Sequence, residues 1–135
     1  EKEAENWFIP TLIKNIHNNH PMDMTPGLQR YGYMYVNDLA NIVSDIAHSS
    51  IKSDIYNISS GKALELKVIV EKIIKYVNPS NPKINFGTLP YRLNQPMLVK
   101  GDTSKLSNEL GELMETDFDE NLHKVVRSVI KKIKN

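Results

Sequence analysis

The residues best suited to chemistry lie together at Tyr91-Arg92-Leu93-Asn94-Gln95-Pro96-Met97, followed by Gly101-Asp102-Thr103-Ser104-Lys105-Leu106. Pro90 and Pro96 bracket a single arginine, in a loop that follows an expected strand and precedes a short helix opened by Asp102. An arginine so placed offers a planar fork of N–H donors to a phosphate or carboxylate, and its charge does not titrate away at neutral pH. Nothing elsewhere in the sequence supplies a reaction centre. There is no Gly-rich phosphate-binding turn, no Tyr-x-x-x-Lys pair and no nucleophile motif. The chain reads as the half of an enzyme that holds a substrate, without the half that transforms it.

The elements that must position this loop follow from hydrophobic spacing. Phe8, Leu12, Ile13 and Ile16 share one face of a helix expected from about Asn6 to Asn18, ended by Asn18-Asn19-His20-Pro21, since the residue before a proline leaves the helical region. Pro26-Gly27 reads as a turn. From Gln29 to Val36, Tyr31, Tyr33 and Tyr35 alternate with Arg30, Gly32, Met34 and Val36, the period of a strand. Asn37 or Asp38 then caps a second helix carrying Leu39, Ala40, Val43, Ile46 and Ala47. Ile55-Tyr56-Asn57-Ile58 reads as a short strand broken by Ser59-Ser60-Gly61. Leu66, Ile69, Val70, Ile73, Ile74 and Val77 give the clearest helical pattern, stopped at Asn78-Pro79. Lys83 to Gly87 is a last strand, a short helix ends near Gly111, and a final helix starts at Asp117 with Glu120 completing a capping box. The expected order is α-β-α-β-α-β-α-α. Three short strands are thin for a self-sufficient sheet and ordinary for an appendage to a larger one.

Composition narrows the function classes. The 135 residues are within the range of one compact domain, 40% hydrophobic and 24% charged. Seventeen Lys+Arg against sixteen Asp+Glu give a net charge of +1, too balanced to argue for nucleic acid or a membrane surface as partner. With no cysteine, disulfides and thiolate metal sites are excluded, and the cytoplasm is the default compartment. The chain opens Glu1-Lys2-Glu3 with no initiator methionine, and the motif content favours a piece of a longer protein.

Four segments, in order and at the right spacing, resemble the C-terminal part of extended short-chain dehydrogenases/reductases of the nucleotide-sugar epimerase/dehydratase type. Asn6-Trp7-Phe8-Ile9-Pro10 resembles that family's Asn-Arg-x-Ile-Pro helix start. Gln29 through Asp38 resembles Gln-x-x-Asp-Tyr-x-Tyr-Val-Asp-Asp. Tyr56-Asn57-Ile58-Ser59-Ser60-Gly61 resembles Tyr-Asn-Ile-Gly-Ser-Gly, and Tyr91-Arg92 through Leu106 resembles Tyr-Arg-x-x-Glu/Gln-x-Met…Asp-x-Ser-Lys-Leu. The resemblance implies an α/β fold, a small mixed substrate-binding portion of a Rossmann-type enzyme lacking the dinucleotide-binding region, with residues 1–135 as one C-terminal domain. It implies NAD or NADP in the parent protein, with no cofactor, metal or catalytic residue on this chain. A nucleotide-sugar substrate and the parent's N-terminal Rossmann region are the implied partners.

The same resemblance assigns candidate roles. Arg92, with Tyr91 beside it, falls where the family's arginine contacts the substrate diphosphate. Asn6 falls where an asparagine touches nucleotide or phosphate, and is equally suited to cap a helix. In the strand opened by Gln29, the family's second phosphate-binding arginine is replaced by Tyr31, and Gly32 stands at the aspartate position. Arg30 is one residue early, which in a strand turns it to the opposite face. Members with an aromatic at the position of Tyr31 include 4-keto sugar reductases and epimerase-like proteins, which tilts the expectation toward reductase or epimerase and away from dehydratase. Substrate-binding candidates are thus Arg92, Tyr91, Asn6, Tyr31 and Gln29.

Other signals read as structural. Asp38 is expected to cap its helix, and Asn57 and Ser60 to shape a turn. His17 and His20 lack an evident third ligand for a metal. Asn57-Ile58-Ser59 is a formal glycosylation sequon, discounted in a cytoplasmic protein. Basic residues near the C-terminal end of the last helix suit its macrodipole. Two functions stay open: the substrate-binding part of an NAD(P)-dependent nucleotide-sugar enzyme, inactive alone, or a non-catalytic nucleotide- or protein-binding module on the same scaffold. Apolar faces left bare in a truncated chain would favour self-association.

Overall fold

A computed structural model describes residues 7–113 and 117–134. Three helices make the core. Helix α1 (Phe8–His17) buries Leu12, Ile13 and Ile16; α3 (Leu66–Val77) buries Leu66, Ile69, Val70 and Ile73; and α5 (Phe118–Lys134) buries Leu122, Val126 and Val129. In each, apolar residues recur three or four apart, so one stripe can leave water while the opposite side stays solvated. The three stripes face one another, with Met24 closing the cluster. Helix ends obey local chemistry. Asn78 takes the left-handed conformation (φ 52°, ψ 54°) beyond α3 and returns its N–H to Ile74 O, and Pro79 bars any continuation. Asp117 caps α5 by accepting the Glu120 N–H at 2.8 Å.

Two small sheets flank this bundle. Strands β1 (Met22–Met24) and β4 (Ile84–Phe86) pair in parallel. Strand β2 (Arg30–Tyr31) lies between β3 (Leu64–Glu65), antiparallel, and β5 (Leu98–Val99), parallel. The loop of Arg92 therefore leaves one sheet, from β4, and enters the other, at β5.

The structure agrees with the small mixed α/β class but corrects several local expectations. The strand anticipated over Gln29–Val36 shrinks to β2, because pairing partners exist only opposite Arg30 and Tyr31. Ile55–Ile58 is not a strand. Its neighbourhood is bound instead to the helix α4 (Ser104–Leu110) and the residues just before it: Asn57 donates to Asp102 O at 3.3 Å, and Lys105 bonds both Ile55 O (3.0 Å) and Asp54 (2.6 Å). Ile55 remains 86% exposed. Helix α2 (Val36–His48) starts one residue before Asn37, with Tyr35 at its N-cap. Asp38 sits in the first turn, buried, where the Asn121 amide donates to it at 3.4 Å. β1, β3 and β5 were not anticipated, since runs of two or three residues carry no period to read.

Helix α2 differs from the other long helices. It buries only Asp38 and Ile42, while Val36 (66%), Leu39 and Val43 (49%) are exposed. At 3.6 residues per turn, Leu39, Val43, Val36, Ala47 and Ala40 form one stripe about 100° wide, with Asn37, Asn41, Ser44 and His48 on the other side.

Candidate functional site: the Tyr-Arg loop

The loop from Gly87 to Met97 is held along β2 by bonds from several directions. Leu89 N–H donates to Met24 O at 3.1 Å. The Tyr91 hydroxyl accepts the Leu28 N–H at 3.0 Å. Arg30 N–H donates to Met97 O, and Gly32 N–H to Val99 O, both at 2.8 Å. Between these anchors a tight turn closes from Gln95 N–H to Arg92 O at 3.0 Å. Its third residue, Asn94, has φ 59°, a conformation asparagine tolerates better than most residues. The turn lifts Arg92 and Leu93 (93% exposed) away from the body of the chain.

Side chains then tie the turn to β2. The Gln95 amide donates to the Tyr31 hydroxyl, which donates in turn to Pro96 O at 3.1 Å. Among the described residues, the Arg92 guanidinium makes no hydrogen bond or ion pair. It is an uncommitted set of charged donors on a pinned backbone. Arg30, by contrast, donates to Ala63 O at 3.2 Å.

The candidate residues thus separate. Arg92, Tyr91 and Tyr31 come together at this loop. Gln29 does not join them: it is buried, with its side chain bonded to Thr25 and its carbonyl to Leu66 N–H. Asn6 lies outside the described residues. Gln95 was missed as a member of the cluster, although a glutamine between Asn94 and Pro96, facing a strand rich in tyrosine, carries the necessary donors.

A second feature lies near the start of α2. A mostly apolar cavity of about 100 Å³ is lined by Ile9, Tyr33, Tyr35, Phe118 and Val125, with Asp38 and Asn121 among its polar residues. Burial pushes the Tyr33 phenol above its ordinary pKa, and neighbouring Tyr31 adds to the shift. A proton leaves Tyr33 less readily than a free phenol, so near neutral pH it is a neutral hydroxyl. Among the described residues no cluster of three or more His, Asp or Glu could hold a metal ion.

No family model matches the chain. Over 128 residues it is 29% identical to the CDP-abequose synthase of Salmonella muenchen, covering 93% of this chain and 43% of that protein. It is 26% identical to the dTDP-4-dehydro-6-deoxyglucose reductase of Escherichia coli, covering 94% and 40%. The likeness is to the C-terminal part of nucleotide-sugar epimerases, dehydratases and reductases. The chain spans about 40% of the length of these curated relatives. Solved structures agree on the fold. The UDP-N-acetylglucosamine 4-epimerase of Methanobrevibacter ruminantium M1, in complex with UDP-N-acetylmuramic acid, superposes with a TM-score of 0.80 at 23% identity, over 96% of this chain and 42% of that one. The dTDP-glucose 4,6-dehydratase of Bacillus anthracis, in complex with NAD, also gives 0.80, at 18% identity, over 98% and 42%. The fold is that of the C-terminal portion of Rossmann-type epimerases. No helix among the described residues is long and apolar enough to cross a membrane.

Proposed function

We propose that this chain is the substrate-gripping C-terminal domain of an NAD(P)-dependent nucleotide-sugar enzyme, and that Arg92 clamps the substrate's diphosphate. The observation that carries the reading is the Arg92 guanidinium, without a partner among the described residues and set on a turn that the rest of the loop immobilises. A fork of donors pre-set in this way matches two phosphate oxygens at once. Holding the diphosphate, remote from the reacting sugar carbon, places that carbon before groups supplied by the rest of the parent protein. A 4-keto reductase or epimerase is favoured over a dehydratase. Tyr31 at the position of the second arginine supports this, as does a relative that is itself a reductase. NAD or NADP would be held by an N-terminal nucleotide-binding region of the parent, because these 135 residues contain no Gly-rich phosphate-binding turn. The same reading makes the protein cytoplasmic and the isolated chain inactive.

The reading is tested by titrating a nucleoside-diphosphate sugar into the parent protein and its Arg92→Ala variant in a calorimeter. Loss of a charged hydrogen bond is expected to cost roughly 1.5–3 kcal/mol. Unchanged affinity would remove the role given to Arg92. A non-catalytic binding module on this scaffold is the competing reading, resting on the absence of a Tyr-x-x-x-Lys pair from these 135 residues. The upstream reading frame decides between them: a Gly-x-x-Gly-x-x-Gly turn and a Tyr-x-x-x-Lys pair there mark the enzyme, and a complete frame without them marks the module.

A further inference from the structure

The hydroxyl of Tyr31 has one proton to give, and it gives it to Pro96 O. A lone pair of the same oxygen takes the Gln95 amide. In this arrangement Tyr31 has no proton left for a phosphate oxygen. Gln95, for its part, closes the turn that begins at Arg92, through its N–H to Arg92 O. The residue that ends the Arg92 turn is therefore the one whose side chain is tied to β2. Pulling Gln95 and Pro96 onto Tyr31 fixes the backbone from which the guanidinium projects.

From this we infer that Tyr31 and Gln95 are positioning residues, which strengthen anion binding only by holding the Arg92 turn and never touch the ligand. The inference rests on the diphosphate-binding reading of Arg92. The strand position where a second arginine is expected thereby becomes a brace for the one arginine that remains. The ligand class is a diphosphate, and inorganic pyrophosphate and UDP are suitable probes, the first carrying the anion alone.

The experiment is a double-mutant cycle in the parent protein, read by calorimetry with both probes. Arg92→Ala is expected to weaken binding about tenfold or more, and Tyr31→Phe and Gln95→Ala each about 3- to 10-fold, the range for a net hydrogen bond. In the Arg92→Ala background, Tyr31→Phe and Gln95→Ala are expected to have no further effect. Without any ligand, the Gln95 amide should exchange its hydrogen faster in Tyr31→Phe, while the amides of Ile69 and Val70 in the core keep their rates. Ile69→Ala serves as a control for general loosening: it should speed exchange in the core while leaving the dependence of binding on Arg92 intact. Additive losses in the double variants would overturn the inference, because they would mean that Tyr31 or Gln95 meets the ligand directly. A Tyr31→Phe variant of unchanged affinity, beside a weakened Arg92→Ala, would also overturn it and leave the proposed function standing. Equal affinity of wild type and Arg92→Ala, or no binding by the wild type, would remove both.

Discussion

At the scale of single residues, the two arginines near the loop have opposite surroundings. Arg30 donates to a carbonyl of its own chain, whereas Arg92 is lifted clear by a four-residue turn. Arg92→Lys should recover part of the affinity lost in Arg92→Ala, because charge survives but the bidentate fork does not; calorimetry on both variants checks the order. Gly101 is constrained by space. A Cβ there would lie 2.6 Å from Ser59 Cβ, so Gly101→Ala should destabilise the chain by about 1–3 kcal/mol, the usual range for overpacking, measured by urea unfolding. Two exposed carboxyls titrate below their ordinary range. Asp102 is held down by the Ser104 hydroxyl and N–H, and Asp54 by its hydrogen bond to Lys105 and then by the Ile55 N–H. Since the folded chain prefers their charged forms, their help is present above the usual carboxylate pKa, near ~4, and is lost as pH falls through the lowered values. Carboxyl NMR should follow both titrations, with the Ser104 amide shift moving alongside Asp102. The exposed loop position of Arg92 was legible in the sequence from its proline brackets. The direction of Gln29 was not, since a two-residue strand gives no second repeat to fix which face a side chain takes.

At the scale of elements, legibility followed the length of the repeat. Helices α1, α3 and α5 each show two or more turns of apolar spacing, and each was located within about two residues. Asn78-Pro79 and Asp117 with Glu120 marked their ends because caps are local chemistry. Ile55–Ile58 has the composition of a strand, but a strand exists only when another lies beside it. Here Asp102 and Lys105 claim its neighbourhood first. Helix α2 had a correct apolar pattern whose meaning was hidden: the stripe was legible, but not the fact that much of it stays in water. Left in water, the stripe should let the chain self-associate, and Val43→Glu should lower the associated fraction several-fold at equal concentration while preserving the circular dichroism spectrum. A monomeric wild-type chain by light scattering at high concentration would contradict this.

At the scale of the whole molecule, the hydrophobic core and the Arg92 loop occupy separate places. The core between α1, α3 and α5 holds the chain together, and truncating a fully buried member such as Ile69→Ala should cost about 2–5 kcal/mol in chemical denaturation. The Arg92 loop lies outside that cluster and spans from one small sheet to the other. Its anchors are all distant in sequence. Leu28 meets Tyr91 across 63 residues, Tyr31 meets Gln95 across 64, and Tyr31 meets Pro96 across 65. None of these contacts can form until the chain has been made at least to Tyr91, and each must be reached by closing a long loop, the slow kind of step in folding. On the diphosphate-binding reading of Arg92, any grip on an anion would be acquired late in folding. In a refolding experiment, pyrophosphate affinity should return only after helical signal has recovered, so that a bound anion marks a molecule whose folding is finished.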